Sequence, residues 1–390
     1  MVVRKIFLIA AVAVAPACAS MVNQSSTDNV LNIEEWGNAE VPEIDMDKPV
    51  DMDKPVDMDD PVNEIEALEN GRFKIIYESG NVYEGDWKND VKEGNGKFVW
   101  VDGDVYEGDY KNDVKEGNGK FVWVNGTVYE GEFKNNAIEG KGKIVFENGT
   151  IYEGEFKNDA IEGKGKIVFE NGNIYEGEFK NNVMEGKGKM VFENGNTYEG
   201  GWKEGKREGE QGKYVWTNGN VYEGDFKNDA REGKGKLVLV NGNIYEGDWK
   251  NNIREGRGKL VYVNGNVYEG DFKNDVREGE GKFTWANGDV YEGDWKNDKR
   301  EGKGKLVYVN GDVYEGDYNN VAIEGTGKAV CVNLDVNEGD WKDGKREGIG
   351  KLVCVNGNVY EGDWKEGKFI SGTIRNGDWM EERFSENSIN

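Results

Sequence analysis

In the stretch Tyr83–Lys88 apolar and polar positions alternate: Tyr83, Gly85 and Trp87 fall on one side, Glu84, Asp86 and Lys88 on the other. The stretch Gly94–Val101 repeats the pattern, with Gly94, Gly96, Phe98 and Trp100 on one face and Lys97, Val99 and Val101 on the other. A period of two is the strand signature, because successive Cβ atoms leave a pleated chain on opposite faces. Between the two strands, Asn89–Glu93 is polar and reads as a turn. After the second strand comes Asp102-Gly103, and in later copies Asn125-Gly126, Asn148-Gly149 and Asn171-Gly172. These dipeptides predict tight hairpin turns in which both central residues take positive φ. One unit is therefore one β-hairpin, and its neighbour continues an antiparallel meander.

The unit occurs thirteen times from Tyr83 onward as Y-E-G-D-W-K-N-D-x-x-E-G-K-G-K-x-V-x-x-N-G-x-V, most clearly at Tyr291–Val313. Tyrosines stand 23 residues apart from Tyr83 to Tyr198, slip by one residue, and resume from Tyr222 to Tyr314; Asn337 takes the next place and Tyr360 the last. A fixed period in this range marks a repeat architecture and overrides the two or three domains that length alone suggests. The expected fold is all-β: an elongated single-layer antiparallel β-meander or solenoid of about thirteen 23-residue hairpins, with a disordered N-terminal segment. At about 4.8 Å per strand it would be a rod on the order of 125 Å long. The extra residue between Gly209 and Gly212 predicts a bulge or change of curvature. Loss of the turn signal at Asn333-Leu334 and of tyrosine at Asn337 predicts the weakest register there. Half repeats at Gly71–Gly80 and Gly372–Trp379 read as caps.

The position four after each tyrosine is aromatic in all thirteen copies, from Trp87 and Tyr110 to Trp341 and Trp364. Large rings over glycines of neighbouring strands would let one sheet curl into a trough. Two readings of this face stand side by side: a core, or a partly open groove that binds something apolar or extended. On the second, the candidate interaction residues are Tyr83, Trp87, Trp100, Tyr106, Tyr110, Trp123, Tyr245, Trp249, Tyr268, Tyr291, Trp295, Tyr360 and Trp364. The opposite face carries a ladder of Glu, Asp and Lys.

The motifs Y-E-G-D-W-K at Tyr291–Lys296, E-G-K-G at Glu301–Gly304 and the turn Asn310-Gly311 resemble the MORN (membrane occupation and recognition nexus) repeat. The resemblance covers roughly Gly71 to Trp379. It implies elongated, twisted antiparallel sheets that act as scaffolds and self-associate, with a proposed contact to phospholipids. It implies binding or structural work rather than catalysis.

The formal charge of −26 disfavours nucleic acid and anionic lipid, both of which select clustered Lys and Arg. The absence of histidine removes the usual general base, zinc ligand and pH switch. The recurring E-G-K-G-K is not a phosphate loop, which needs G-x-x-x-x-G-K-[ST] between a strand and a helix. No D-x-D-x-D-G calcium loop occurs either. No catalytic residue, cofactor or metal site is assigned, and the expected partner is a protein or a second copy of the chain. Residues 1–19 read as a secretory signal, with Arg4 and Lys5 before an apolar run at Ile6–Ala15. Export to the periplasm, the cell surface or the medium follows, with Cys18 as an alternative site of lipid attachment. Residues 20–70 form an acidic spacer built on D-M-D-K-P-V at Asp45–Val50 and Asp51–Val56 and D-M-D-D-P-V at Asp57–Val62, either a tether or a partner-binding motif. The array then spans 71–380 and a tail 381–390. Cys331 and Cys354 stand one period apart, roughly 9.6 Å across two strand spacings, beyond the roughly 7 Å limit for a bridge. Two reduced thiols are expected.

Overall fold

The computed structural model describes residues 60–376 and 381–385. The signal, Cys18 and most of the spacer lie outside them. The described chain is antiparallel β-structure with one 3-10 turn at Glu69–Gly71. It divides into two compact units on either side of Val240.

In the first unit, seven hairpins follow one another, from Val82–Lys88 with Val91–Val99 to Val221–Lys227 with Ala230–Val238. The second holds six, from Ile244–Lys250 with Ile253–Val261 to Val359–Lys365 with Lys368–Arg375. Thirteen hairpins are thus present, as the periodicity requires. In the hairpin of Val290–Lys296 and Lys299–Val307, Val290 faces Val307, Tyr291 faces Leu306, Glu292 faces Lys305 and Gly293 faces Gly304; pairing then jumps to Trp295 and Arg300. Asp294 is left opposite the three residues Glu301, Gly302 and Lys303, a bulge whose Gly302 sits at φ 68°. The Asp294 carboxylate fills it, accepting the Lys303 N–H at 2.8 Å. On its other side the same strand pairs without a break, from Gly302 with Tyr318 to Val307 with Val313.

The turns exchange the types expected of them. The Asn-Asp and Asn-Asn dipeptides carry positive φ at both residues, as at Asn297 (48°) and Asp298 (63°), so they close the two-residue turns. At Asn310-Gly311 only Gly311 is left-handed. There Gly311 N–H donates to Tyr308 O and Tyr308 N–H to Asp312 O, a three-residue loop that ends in a glycine bulge. Asn and Asp tolerate the left-handed region, so the dipeptide without glycine can take the tighter turn.

The extra residue does produce its bulge: register shifts between Gly209 and Gly212, with Gln211 at φ 62°. The same copy replaces the bulge-filling acid with Gly201, whose added Cβ would collide with the Glu208 carbonyl. Around Leu334, where the weakest register is expected, the strands pair in the same register as in the other copies. Leu334 takes φ 70°, its N–H reaches Cys331 O at 2.7 Å, and pairing continues through Asn337 opposite Ala329 and Leu352. Paired glycines and the acid-filled bulge hold this register without the tyrosine: Ile349 N–H still donates to Asp340.

Two boundaries also move. Val62–Ala67 forms an exposed strand on Arg72–Tyr77, so the spacer ends near residue 60. Its V-N-E-I-E-A sequence follows the last proline, Pro61, and can pair once that restriction is past. Glu381–Ser385 pairs with Lys368–Arg375 rather than forming a tail.

Candidate functional site

From Tyr83 to Tyr314, each repeat tyrosine ring covers a glycine pair. Gly293 lies opposite Gly304, and a Cβ added to Gly304 would stand 2.6 Å from Tyr291 Cζ. The phenol crosses both backbones and donates to Asp294 O at 3.0 Å; the same bond runs from Tyr83 to Asp86 O and from Tyr152 to Glu155 O. The next ring closes over the tyrosine edge-on. Tyr291 meets Trp295 at 5.4 Å and Tyr318 of the following hairpin at 5.1 Å, with interplanar angles of 84° and 82°. In the first unit Tyr106, Phe133, Tyr129 and Phe156 continue the same chain of edge-to-face contacts. Such pairs add about 0.5–1.5 kcal/mol each beyond area burial.

This packing decides between the two readings of the aromatic face. Tyr83, Trp100, Tyr106, Tyr110, Trp123, Tyr245, Trp249, Tyr268, Tyr291, Trp295 and Trp364 are buried, and only Trp87 and Tyr360 are half-buried. The face is a core and not an open groove. Glycine lets the rings sink onto the backbone, and each hairpin's ring is then covered by its neighbour's. Burial pushes the phenols of Tyr106, Tyr152 and Tyr291 well above the ordinary tyrosine range, and that of Tyr308 up to about 12.

One buried position escaped the sequence reading. Nine residues after the tyrosine, Lys92, Lys115, Arg207, Arg254, Arg277 and Arg300 lie buried against the aromatic rings, where other copies place Ile138, Ile161, Met184 and Ile323. The exchange of Arg and Lys with Ile and Met at one period was the available signal. Arg277 stacks on Trp295 with its guanidinium carbon 4.4 Å from the ring centroid, and Nε donates to Asp298 at 3.0 Å. Arg254 pairs likewise with Asp275 at 3.1 Å and Lys92 with Asp113 at 3.2 Å. Burial lowers the Lys92 ammonium from its ordinary value although Asp113 pulls it up. Burial also lowers Arg346 to about 10; its fork reaches Asn337 and Gly367 O rather than a carboxylate.

The outer face is a lattice of exposed charge. Glu292, Lys305, Glu315, Lys328, Glu338, Lys351 and Glu361 face one another strand by strand. Pairs such as Lys328–Glu338 at 2.7 Å are about half exposed, so each contributes little to stability. The edge formed by the inter-repeat turns is different. Val101, Val124, Val240, Val263, Val309, Val332 and Val355 are 63–74% exposed there, one per repeat, and Glu147, Glu170 and Glu193 take their place in the middle of the first unit. A side chain of the preceding repeat caps most of these turns, as where Val124 N–H donates to Asp104 at 2.8 Å and Val309 N–H to Asp289 at 2.8 Å.

Among the described residues no group of His, Cys, Asp or Glu is arranged to hold a metal ion. Cys354 carries a free thiol. It is not bridged to Cys331, as the strand spacing requires, and Cys331 is buried.

The solved structures that resemble this chain do so faintly. The Drosophila melanogaster SAS-4 TCP domain, in complex with a proline-rich motif of Ana2, is 16% identical over 48% of this chain and 90% of its own, with a TM-score of 0.25. The TCP10 domain of Danio rerio CPAP is 11% identical over 68% and 99%, with a TM-score of 0.20. Virginiamycin B lyase from Staphylococcus aureus is 13% identical over 80% and 95%, with a TM-score of 0.13. Scores this low carry no argument about this chain. No curated protein matches it. A family model described as MORN repeat matches ten successive segments from 83–105 to 291–313, then 338–359 and 360–369. The unmatched stretch 314–337 is the copy whose turn holds Leu334 in place of glycine. The repeated tyrosines, glycine pairs and acid-filled bulges coincide with the matched segments, which cover more than half of the chain: it belongs to the MORN repeat family.

Proposed function

We propose that this protein is a non-enzymatic repeat scaffold, exported or held at a surface, that binds a protein partner or a second copy of itself. One observation carries the reading: the residues that recur in every repeat are spent on the fold. The tyrosine covers the glycines, the acid fills the bulge, and the Asn-Asp and Asn-Gly dipeptides make the turns. None of these repeated groups is left to converge on a substrate. Binding then belongs to the positions that vary between copies, on the charged outer face and along the turn edge, and no catalytic residue is assigned.

Light scattering of the full chain across a concentration series tests the partner. A mass that rises to a dimer supports self-association, and a fixed monomer mass makes an outside protein the partner. Flotation with vesicles of neutral lipid tests the scaffold reading itself. The protein is expected to stay at the bottom of the gradient, and salt-independent flotation would contradict the reading.

A further inference from the structure

The hairpin of Val336–Lys342 and Lys345–Val353 departs from the others around its arginine. Where the repeat is complete, the Arg277 guanidinium carbon stands 5.6 Å from the Tyr268 ring, 5.5 Å from Phe283 and 4.4 Å from Trp295, and Nε donates to Asp298. The corresponding places around Arg346 hold Asn337, Leu352, Trp364 and Gly367. Two rings and the carboxylate are thus missing around a single arginine, and one ring is left.

The geometry follows these losses. Arg346 lies 3.7 Å from the centroid of its remaining ring, Trp364. Its fork donates to Asn337 Oδ1 at 2.9 Å and to Gly367 O at 3.1 Å, both neutral acceptors. Arg346 is half-buried, where Arg277 is 1% exposed. Among the described residues no carboxylate bonds to it: Asp340 accepts the Ile349 N–H, Glu347 accepts the Glu366 N–H, and Glu366 pairs with Lys345. A guanidinium offers five N–H donors in a fork that fits a carboxylate, and a charged acceptor makes bonds roughly twice as strong as a neutral one. The glycine pair beside it has lost its cover as well. Gly339 faces Gly350, and the three atoms nearest a Cβ added to Gly339 would all be backbone, whereas one added to Gly293 meets the Tyr291 hydroxyl at 2.8 Å. At Gly350 the Trp364 ring is the nearest neighbour at 3.1 Å, whereas Gly304 has the Tyr291 ring there.

We propose that this hairpin binds a small aromatic carboxylate. The carboxylate takes the Arg346 guanidinium in place of the missing turn acid and displaces the neutral Asn337 Oδ1. The ring takes the place of the missing tyrosine over Gly339 and Gly350, against Trp364. Charge and shape of the ligand are those of the groups this copy has lost. A carboxylate alone brings no ring to shield the ion pair from water, and a phenol alone leaves the guanidinium without a counter-charge. The site lies on the aromatic face, apart from the outer lattice and the turn edge where a protein partner is proposed to bind, so it does not depend on that reading.

Calorimetric titration of the full chain with benzoate tests the site, at physiological salt so that charges beyond about 8 Å are screened. Saturable binding of a single benzoate per chain is expected. Acetate and phenol should each bind about tenfold more weakly, because a hydrogen bond to a charged group contributes at least that factor. Three variants restore residues that other copies carry and should therefore keep the fold, with melting temperatures at or above that of wild type. Asn337→Tyr fills the place of the ring and should abolish binding. Gly367→Asp gives Arg346 an internal carboxylate and should weaken binding about tenfold. Arg346→Ile, the residue of the Ile323 copy, removes the cation and should weaken it at least as much. A wild type without saturable benzoate binding overturns the proposal. Benzoate affinity that is unchanged in Asn337→Tyr or in Arg346→Ile also overturns it, because the ligand would then sit elsewhere on the chain.

Discussion

At the scale of the residue, the tyrosine and the glycine pair define each other. The glycines cannot gain a Cβ without displacing the ring, and the ring spans the gap their missing side chains leave. Gly304→Ala is expected to destabilise the protein by about 1–3 kcal/mol through overpacking, read as a lower urea midpoint. Tyr291→Phe keeps the packing and loses only the bond to Asp294 O, and should cost about 1 kcal/mol. A pH dependence follows from the same burial. The core phenols, Tyr106, Tyr152 and Tyr291 among them, have pKa values raised above the unfolded value of about 10. The unfolded chain therefore releases these protons first. Their contribution to stability is complete below about pH 10 and declines as pH rises through the folded values. A titration of tyrosinate absorbance should show these residues ionising together with unfolding, and early, independent ionisation of the whole set would contradict the packing. Lowered Lys92 acts in the opposite sense as a single group.

At the scale of the element, much of the hairpin was legible. Alternation placed both strands, and the period placed every copy. The turn types were not, because Asn-Gly is the stronger two-residue signal in isolation, whereas Asn-Asp wins when glycine serves a three-residue loop nearby. The bulge was hidden as well: Glu301, Gly302 and Lys303 continue the alternation in sequence, and only the carboxylate of Asp294 reveals what the extra residues need. The buried arginines were passed over because charge at a polar-looking position reads as surface. The turn carboxylate is not present in every hairpin, since Lys115 has Asn136 at that place and Arg346 has Gly367. Arg300 is buried, but the turn residue that should pair with it is Val321, which offers only its carbonyl and sits at φ 71°. A β-branched residue is poorly tolerated there, at a cost of roughly 1–2 kcal/mol. Val321→Asp relieves that strain and supplies the carboxylate that Asp298 gives Arg277. It should raise stability by about 1–3 kcal/mol, and an unchanged or lower melting temperature would show that the two turns are not equivalent.

At the scale of the whole molecule, repetition made the fold class readable and the function much less so. The aromatic positions recur because every hairpin needs a core, and recurrence alone cannot separate that need from a binding face. Burial separates them, and it moves the candidate surface to the outer lattice and the valine-lined turn edge. With a formal charge of −26, the valine-bearing turns of that edge are the place where another chain can approach with the least electrostatic penalty. The claim that the repeated rings are core can be tested directly by acetylating tyrosines of the native protein with N-acetylimidazole and locating the label by mass spectrometry. Tyr83, Tyr106, Tyr152 and Tyr291, all fully buried, should remain unlabelled until urea unfolds the chain, while half-buried Tyr360 reacts in the native state. Labelling of the four in the native protein at the rate of Tyr360 would mean that the aromatic face is open, and that it, rather than the turn edge, is the surface on which a partner binds.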